Sequence, residues 1–425
     1  MASFFIPLTG LESDSTALNT IANNLSNMNT TAYKGQTADF SDLFYQQIGA
    51  SGSGDPIQVG AGTQVASIAT DFTQGSINAT GTATDVALDG NGFFVVNNNG
   101  VDEYTRAGNF SLDSSGNLVT QNGLGVMGYP AVNGVVNANS PLTQVSIPVG
   151  QVEPPRATTT MNMTANLNAT SATGTTFPAQ VTIYDSLGVS HLATVTYTQA
   201  GTNTWNYSVA LPAADFTSGV STPVTGSMSF DSSGNLATVT PSGGAATPVG
   251  TAAGDISSIL LSFTGLADGA ANLNMQWNLL GTSGTPSISQ VDATSATSAT
   301  TQDGYSSGQY QSFTISSDGT VSATFSNGQQ LAVGQLALAN VTNVQGMRML
   351  GGGDYATTMA SGAASISTSG TAGLGTLQDG ALEESNVNIS SEFSNLIIAQ
   401  RAFEANSKAV TTFDTVTQET INMIH

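Results

Sequence analysis

The sequence has 425 residues, with 28 acidic against 6 basic side chains, a formal charge of −22 and no cysteine. Disulfides and thiolate chemistry are excluded, and so many uncompensated carboxylates make nucleic acid and anionic lipid poor partners. Charged residues form only 8% of the chain, against about 25% in ordinary globular domains, so Ser, Thr, Asn, Gln and Gly must cover most of the surface of two or three domains.

The chain opens without a basic segment, and Pro7 cuts the apolar run Phe4-Phe5-Ile6, which argues against a secretory signal. No stretch approaches the roughly 20 apolar residues of a membrane span, so membrane insertion is not expected. These facts alone would place the protein in the cytoplasm. Leu11, Leu18, Ile21, Leu25 and Met28 follow at helical steps, with Gly10 and Gly35 as natural borders. From about Asp71 to Ser365 the pattern changes to short alternating runs separated by turn residues. Val86 and Leu88, then Asp89-Gly90-Asn91-Gly92, then Phe93 to Val96 read as strand, turn, strand. The hexapeptide Asp-Ser-Ser-Gly-Asn-Leu occurs at 113–118 and again at 231–236, as convergent turn chemistry rather than a true repeat. Asp318-Gly319 and Asn327-Gly328, set among Ile315, Val321, Phe325, Leu331 and Val333, predict a tight meander.

Pro148, Pro154 and Pro155 interrupt the β pattern, and a polar tract at 293–308 interrupts it again; both tryptophans lie between. Toward the end, Ile389, Leu396, Phe403, Val410 and Ile424 share one seven-residue register, broadened by Phe393, Ala399 and Phe413, and no Gly or Pro follows Gly380. A helix from about 385 to 423 would run about 60 Å, more apolar face than one small domain covers. Either stripe alone reads more readily as an ordinary core helix. At opposite ends of an all-β interior, the two are expected to pair. The predicted fold is therefore mainly β with paired terminal α-helices and a nested architecture. Residues 1–70 and 366–425 form the helical domain with its connecting segment. Residues 71–150 and 288–365 form a discontinuous middle β domain carrying an inserted outer β domain at 151–287.

No catalytic constellation survives inspection. Gly123, Gly125 and Gly128 spell G-x-G-x-x-G, but Tyr129-Pro130 follows where a phosphate-binding helix would open. Gly304, Ser306 and Gly308 spell a nucleophile-elbow motif without the strand and helix it needs. The Asp-Gly turns lack the ligand series of a calcium loop. His191 sits in an alternating strand with no partner at metal-ligand spacing, and His425 is far away. Glu383-Glu384 suit the start of the closing helix, where the partial positive charge favours acids. No cofactor and no metal are expected.

The run Ala22-Asn23-Asn24-Leu25-Ser26-Asn27-Met28-Asn29-Thr30-Thr31-Ala32-Tyr33-Lys34-Gly35 resembles the N-terminal signature of the bacterial flagellar rod and hook axial proteins. Glu384-Ser385-Asn386-Val387, Glu392-Phe393 and Ala399-Gln400-Arg401-Ala402-Phe403-Glu404-Ala405-Asn406 resemble the same family's closing helix. Asp71-Phe72-Thr73-Gln74-Gly75, Asp89-Gly90-Asn91-Gly92-Phe93-Phe94 and Tyr104-Thr105-Arg106-Ala107-Gly108-Asn109-Phe110 agree, and Ile183-Tyr184-Asp185-Ser186-Leu187-Gly188 resembles the inserted outer domain of hook members. Phe403 departs from the family's usual Tyr, which keeps stacking and loses a hydroxyl.

The resemblance implies a non-enzymatic structural subunit of the hook, self-assembling into a flexible tube that transmits torque from rod to filament. A distal rod subunit, or a secreted β-rich adhesin or surface module, is the alternative. It implies terminal helices lining a central channel, with subunit assembly carried by Leu18, Ile21, Ala22, Asn23, Asn24, Leu25, Asn27, Met28, Asn29, Thr30, Tyr33 and Lys34. From the closing segment it adds Asn386, Val387, Ile389, Phe393, Leu396, Ala399, Gln400, Arg401, Phe403, Asn406, Val410, Phe413 and Ile424. The implied partners are further copies in a helical homopolymer, the distal rod protein, the hook cap protein, the hook–filament junction protein and the flagellar type III export apparatus. Export without a cleavable signal to an extracellular hook is implied as well.

Overall fold

The computed structural model describes residues 5–44, 46–50, 56–281 and 283–423. The chain divides into two compact units: residues 1–149, 312–324 and 330–425 form unit 1, and residues 150–311 with 325–329 form unit 2. Two long helices, α1 (Phe5–Ser26) and α2 (Ile389–Met423), belong to unit 1. Otherwise the described residues form strands, loops and two single-turn 3-10 helices.

In unit 1 the strand Phe93–Asn98 pairs with Val101–Thr105 on one side, Phe94 opposite Thr105 and Val95 opposite Tyr104. On its other side lie Gly125–Val132 and Gln330–Asn340. Phe93 to Val96 are all buried, as a continuous apolar run demands when both faces of a strand are covered. Phe72, Phe93 and Tyr355 meet as an aromatic triangle with ring centroids 5.6–5.9 Å apart. Val86–Asp89 does form a strand, but it pairs with Thr376–Asp379 rather than with Phe93–Asn98. Ile77–Ala79 likewise pairs with Ala381–Glu383. The returning chain is thus zipped onto the outgoing one before α2 begins. The meander strand Thr320–Phe325 pairs with Gln330–Asn340, and Gly125–Val132 is a strand, which disposes of the glycine motif there.

Unit 2 contains an antiparallel sheet ordered Thr176–Tyr184, Ser190–Gly201, Thr204–Ala210, Val224–Phe230, Leu236–Pro241 and Thr247–Pro248. A second sheet is built on Thr160–Asn168, which pairs parallel with Leu273–Asn278 and Ile288–Val291 and antiparallel with Ala296–Gln302. Strict alternation sends Met161, Met163, Ala165 and Leu167 inward. They join Trp205, Trp277, Tyr197 and Tyr207 from both sheets in one core, where Tyr207 meets Trp277 edge-on at 5.7 Å.

The inserted unit therefore runs to residue 311, beyond the expected 287. The polar tract contains a real strand, Ala296–Gln302, whose residues are almost all exposed. An edge strand with water on both faces carries no apolar alternation, so its sequence looks like loop. The repeated hexapeptide makes one turn twice, once in each unit. Asp113 accepts the Ser115 and Asn117 amides at 2.7 and 2.9 Å; Asp231 accepts those of Ser233 and Asn235, both at 2.8 Å. Gly116 and Gly234 take φ of 83° and 81°, conformations that favour glycine.

Candidate functional site

The terminal helices pack against each other, and α1 also lies on the ribbon formed by Gln36–Asp42 and Thr63–Thr70. The buried face of α1 is Pro7, Gly10, Ser13, Thr20 and Asn24. The expected stripe of Leu11, Leu18, Ile21, Leu25 and Met28 is only half-buried. Gly10 is not a border but a contact point inside the helix. A Cβ there would meet the Asn406 amide nitrogen at 2.6 Å, and that same amide donates to Asp14 at 2.8 Å. Pro7 is tolerated because it falls in the first turn, where its missing N–H has no intrahelical acceptor.

On α2 the side toward α1 is marked by Ala399, the one fully buried residue of the helix, and by half-buried Glu392, Leu396, Ala402, Asn406, Val410 and Phe413. Ile389, Phe393, Ile397, Ile398 and Phe403 are exposed, Ile398 by 67%. Gln400 and Arg401 are also exposed, and Arg401 makes only a surface ion pair with Glu404, of little energetic weight. Beyond Phe413 every described residue of α2 is exposed. Length explains this: at 1.5 Å per residue, 35 residues reach about 52 Å and the 22 of α1 about 33 Å. Ile424 lies outside the described residues. None of the described helices is long and apolar enough to cross a membrane.

The helix starts at Ile389, not near 385. Asn388 caps it, accepting the Ser391 amide on its side chain at 3.1 Å. The preceding Glu384-Ser385-Asn386-Val387 lies between the strand Ala381–Glu383 and α2 and works as a stitch. Asn386 accepts the Gly35 amide at 2.8 Å and donates to the Asp71 and Thr73 carbonyls. The N-terminal motif mirrors it. Asn23 donates to the Tyr33 hydroxyl at 3.0 Å, and Tyr33 donates to Asn24. Asn24 then exchanges two hydrogen bonds with the Gln36 backbone, at 2.7 and 2.9 Å. Asn27 donates back to the Asn23 carbonyl and accepts from Thr30. The asparagines thus turn the chain out of α1, while Ala22, Asn29 and Thr30 stay exposed and Val387 half-buried.

Both segments meet at a buried ion cluster that spacing did not reveal. Glu383 lies in a strand, not at a helix start, and is fully enclosed. Lys34 reaches it at 2.6 Å, Arg106 at 3.1 Å, and the Gly75 amide donates to it at 2.9 Å. Lys34 also donates to the Thr73 carbonyl, and Arg106 to those of Gly90 and Gly92. Burial pushes the Lys34 ammonium below its ordinary pKa, against the pull of Glu383. Through these contacts three remote chain segments are fixed in one register. Beside the motif, Asn23, Asn27, Asn122, Met349, Asp354 and Tyr355 help line a cleft of about 660 Å³. Burial raises the Asp354 carboxyl above its usual range.

A second concentration of titratable groups lies in unit 2. His191, expected to have no partner at metal-ligand spacing, is buried between Asp215 at Nδ1 (2.9 Å) and Asp185 at Nε2 (3.1 Å). Burial disfavours its charge, but these two hydrogen bonds outweigh that and raise its pKa. Folding, not sequence spacing, assembles this cluster.

Family models match along most of the chain. The flagella basal body rod protein model covers residues 8–34, and the flagellar hook protein FlgE/F/G D1 domain covers 87–167. The flagellar basal body protein FlaE D2 domain covers 155–305, and the flagellar basal body rod FlgEFG protein C-terminal model covers 378–423. The flagellar hook protein FlgE of Treponema pallidum is 34% identical over 460 residues, spanning 100% of this chain and 99% of that protein. That of Escherichia coli is 34% identical over 436 residues, 99% of this chain and 100% of the relative. The crystal structure of Helicobacter pylori flagellar hook protein FlgE2 shares the fold, with a TM-score of 0.54 over 72% of this chain and all of that one, at 16% identity. The chain belongs to the flagellar hook protein FlgE family, whose members are structural subunits of the hook and not enzymes.

Proposed function

We propose that the chain polymerises into the bendable tube of the hook through α1, α2 and the motif joining them, with neighbouring copies covering the apolar face that α2 leaves open. The observation that supports this is the row Ile389, Phe393, Ile397 and Ile398, exposed on a helix that outruns its partner. Covering such side chains contributes roughly 1.5–3 kcal/mol each, ample to drive association when many copies stack. The anchor at Glu383 aims both helices from a rigid base. The outer surface of unit 2, rich in Ser, Thr and Asn, suits sliding contacts, because exchanging weak polar contacts costs less than breaking ion pairs. In this reading the tube begins on the distal rod protein and grows beneath the hook cap protein. It meets the hook–filament junction protein at its far end, and its subunits arrive through the type III export apparatus.

Purified chain should form tubes visible by electron microscopy. Phe393→Asp, at a site exposed in the single chain, should leave a folded monomer that forms none. Normal tubes from that variant would remove α2's open face from the assembly.

A further inference from the structure

We propose that Asp185, His191 and Asp268 of unit 2 form a binding site for one divalent transition-metal ion of the zinc class, with Asp215 orienting the histidine from behind. Their donor atoms converge from three separate places: the turn after Thr176–Tyr184, the strand Ser190–Gly201, and the loop between Ser258–Phe263 and Leu273–Asn278. His191 Nε2 lies 3.1 Å from Asp185 Oδ2 and 3.8 Å from Asp268 Oδ2, and all three donors fall within 4.8 Å of one another. A tetrahedral ion with bonds of about 2.0–2.1 Å holds its ligand atoms roughly 3.3 Å apart, so the 3.1 and 3.8 Å separations from Nε2 need only sub-ångström adjustment.

The surroundings are built for that role. Asp185 Oδ1 accepts the Leu187 and Val189 amides at 2.8 and 2.9 Å, and Asp268 Oδ1 accepts the Ala270 amide at 3.0 Å. Both carboxylates are thereby aimed, each with Oδ2 turned to the same point. Asp215 accepts from Nδ1 at 2.9 Å, the carboxylate–imidazole pairing that fixes a metal-binding ring with Nε2 outward. Asp185 and His191 are buried, whereas the Asp268 side chain keeps 23% of its surface exposed, leaving a path from solvent and room for a water ligand.

Charge favours the ion too. The only other basic side chain of unit 2, Arg156, is engaged with Asp303. Three carboxylates converge on this one imidazole, and a divalent ion among them offsets two of their charges. One nitrogen and two oxygens suit zinc-like ions, whereas calcium takes six to eight oxygens.

The test is titration of full-length, chelator-treated chain with zinc chloride by calorimetry, alongside thermal unfolding. One ion per chain and a rise in the unfolding temperature of unit 2 are expected, with no saturable uptake of calcium. Asp215→Asn should weaken binding about 10–100-fold. Asp268→Asn, on a partly exposed loop where the amide oxygen can still accept from Ala270, should abolish it with circular dichroism unchanged. His425→Ala should change nothing. No saturable zinc uptake by the wild-type chain, uptake that survives Asp268→Asn, or uptake lost with His425 would each overturn the proposal.

Discussion

The core of unit 2 and the long helix α2 handle apolar surface in opposite ways. Trp205, Trp277 and Tyr197 have no solvent exposure at all, because two sheets close over them from both sides. On α2 only Ala399 is buried, and Phe393 keeps 52% of its surface in water. One region is finished within the chain; the other leaves its apolar surface uncovered. Exposed apolar side chains in a contiguous row mark interaction sites; on the proposed reading, the contrast separates what folds the subunit from what joins subunits.

The hardest blow to the closed side is Trp277→Ala. Deleting a large aromatic from a packed core costs about 3–5 kcal/mol, measurable by urea unfolding followed through Trp205 fluorescence. A loss under about 1 kcal/mol would mean the core is not closed as described. Nearly as large is the effect expected at the anchor that aims the open side. Glu383→Gln keeps the shape but leaves Lys34 and Arg106 buried without a counter-charge, at a cost of about 3 kcal/mol. Equilibrium unfolding would report it in unit 1, and an unchanged midpoint would show that the cluster is solvated.

A smaller effect lies at the rim of unit 2. Burial opposes ionisation of Asp303, but the Thr159 hydroxyl, the Thr160 and Thr159 amides and Arg156 outweigh it and hold its pKa below the usual carboxylate range. A carboxyl depressed in the folded state contributes stability above its unfolded pKa of about 3.9, and that stability is lost as pH falls through the folded value. Asp303→Asn should therefore lower stability by about 1–2 kcal/mol at neutral pH. The gap to wild type should close in acid. A pH-independent gap would show that packing, not charge, is responsible.

The parts of this contrast readable in the sequence are those written as period. An uninterrupted register from Ile389 to Val410 announced α2, and the turn pairs Asp318-Gly319 and Asn327-Gly328 among alternating apolar residues announced the hairpin of Thr320–Phe325 and Gln330–Asn340. What escaped was written in pairs distant along the chain. Gly10 looked like a helix border because its partner, Asn406, is 396 positions away. Glu383 looked like a helix-dipole acid because Lys34 is 349 positions away. The helix start was set too early because Asn386 binds the Gly35 segment instead of helical neighbours. His191 showed nothing, since two of its three carboxylates lie on other loops. The strand Ala296–Gln302 was hidden for the opposite reason: with nothing to bury, it needs no pattern.

The smallest expected change tests the open side most cleanly. Ile398 is 67% exposed, so Ile398→Ser removes little that the single chain buries, and its unfolding free energy should move by no more than about 0.5 kcal/mol. If α2's face is completed by neighbours, the same substitution must still raise the concentration needed for polymer, because each added copy would bury a hydroxyl where an apolar side chain belonged. Sedimentation of polymer against monomer, set beside urea unfolding of the monomer, separates the two quantities. A monomer destabilised by more than about 1 kcal/mol would place Ile398 in an interior the single chain already closes, and the distinction between the two regions would fail at that residue.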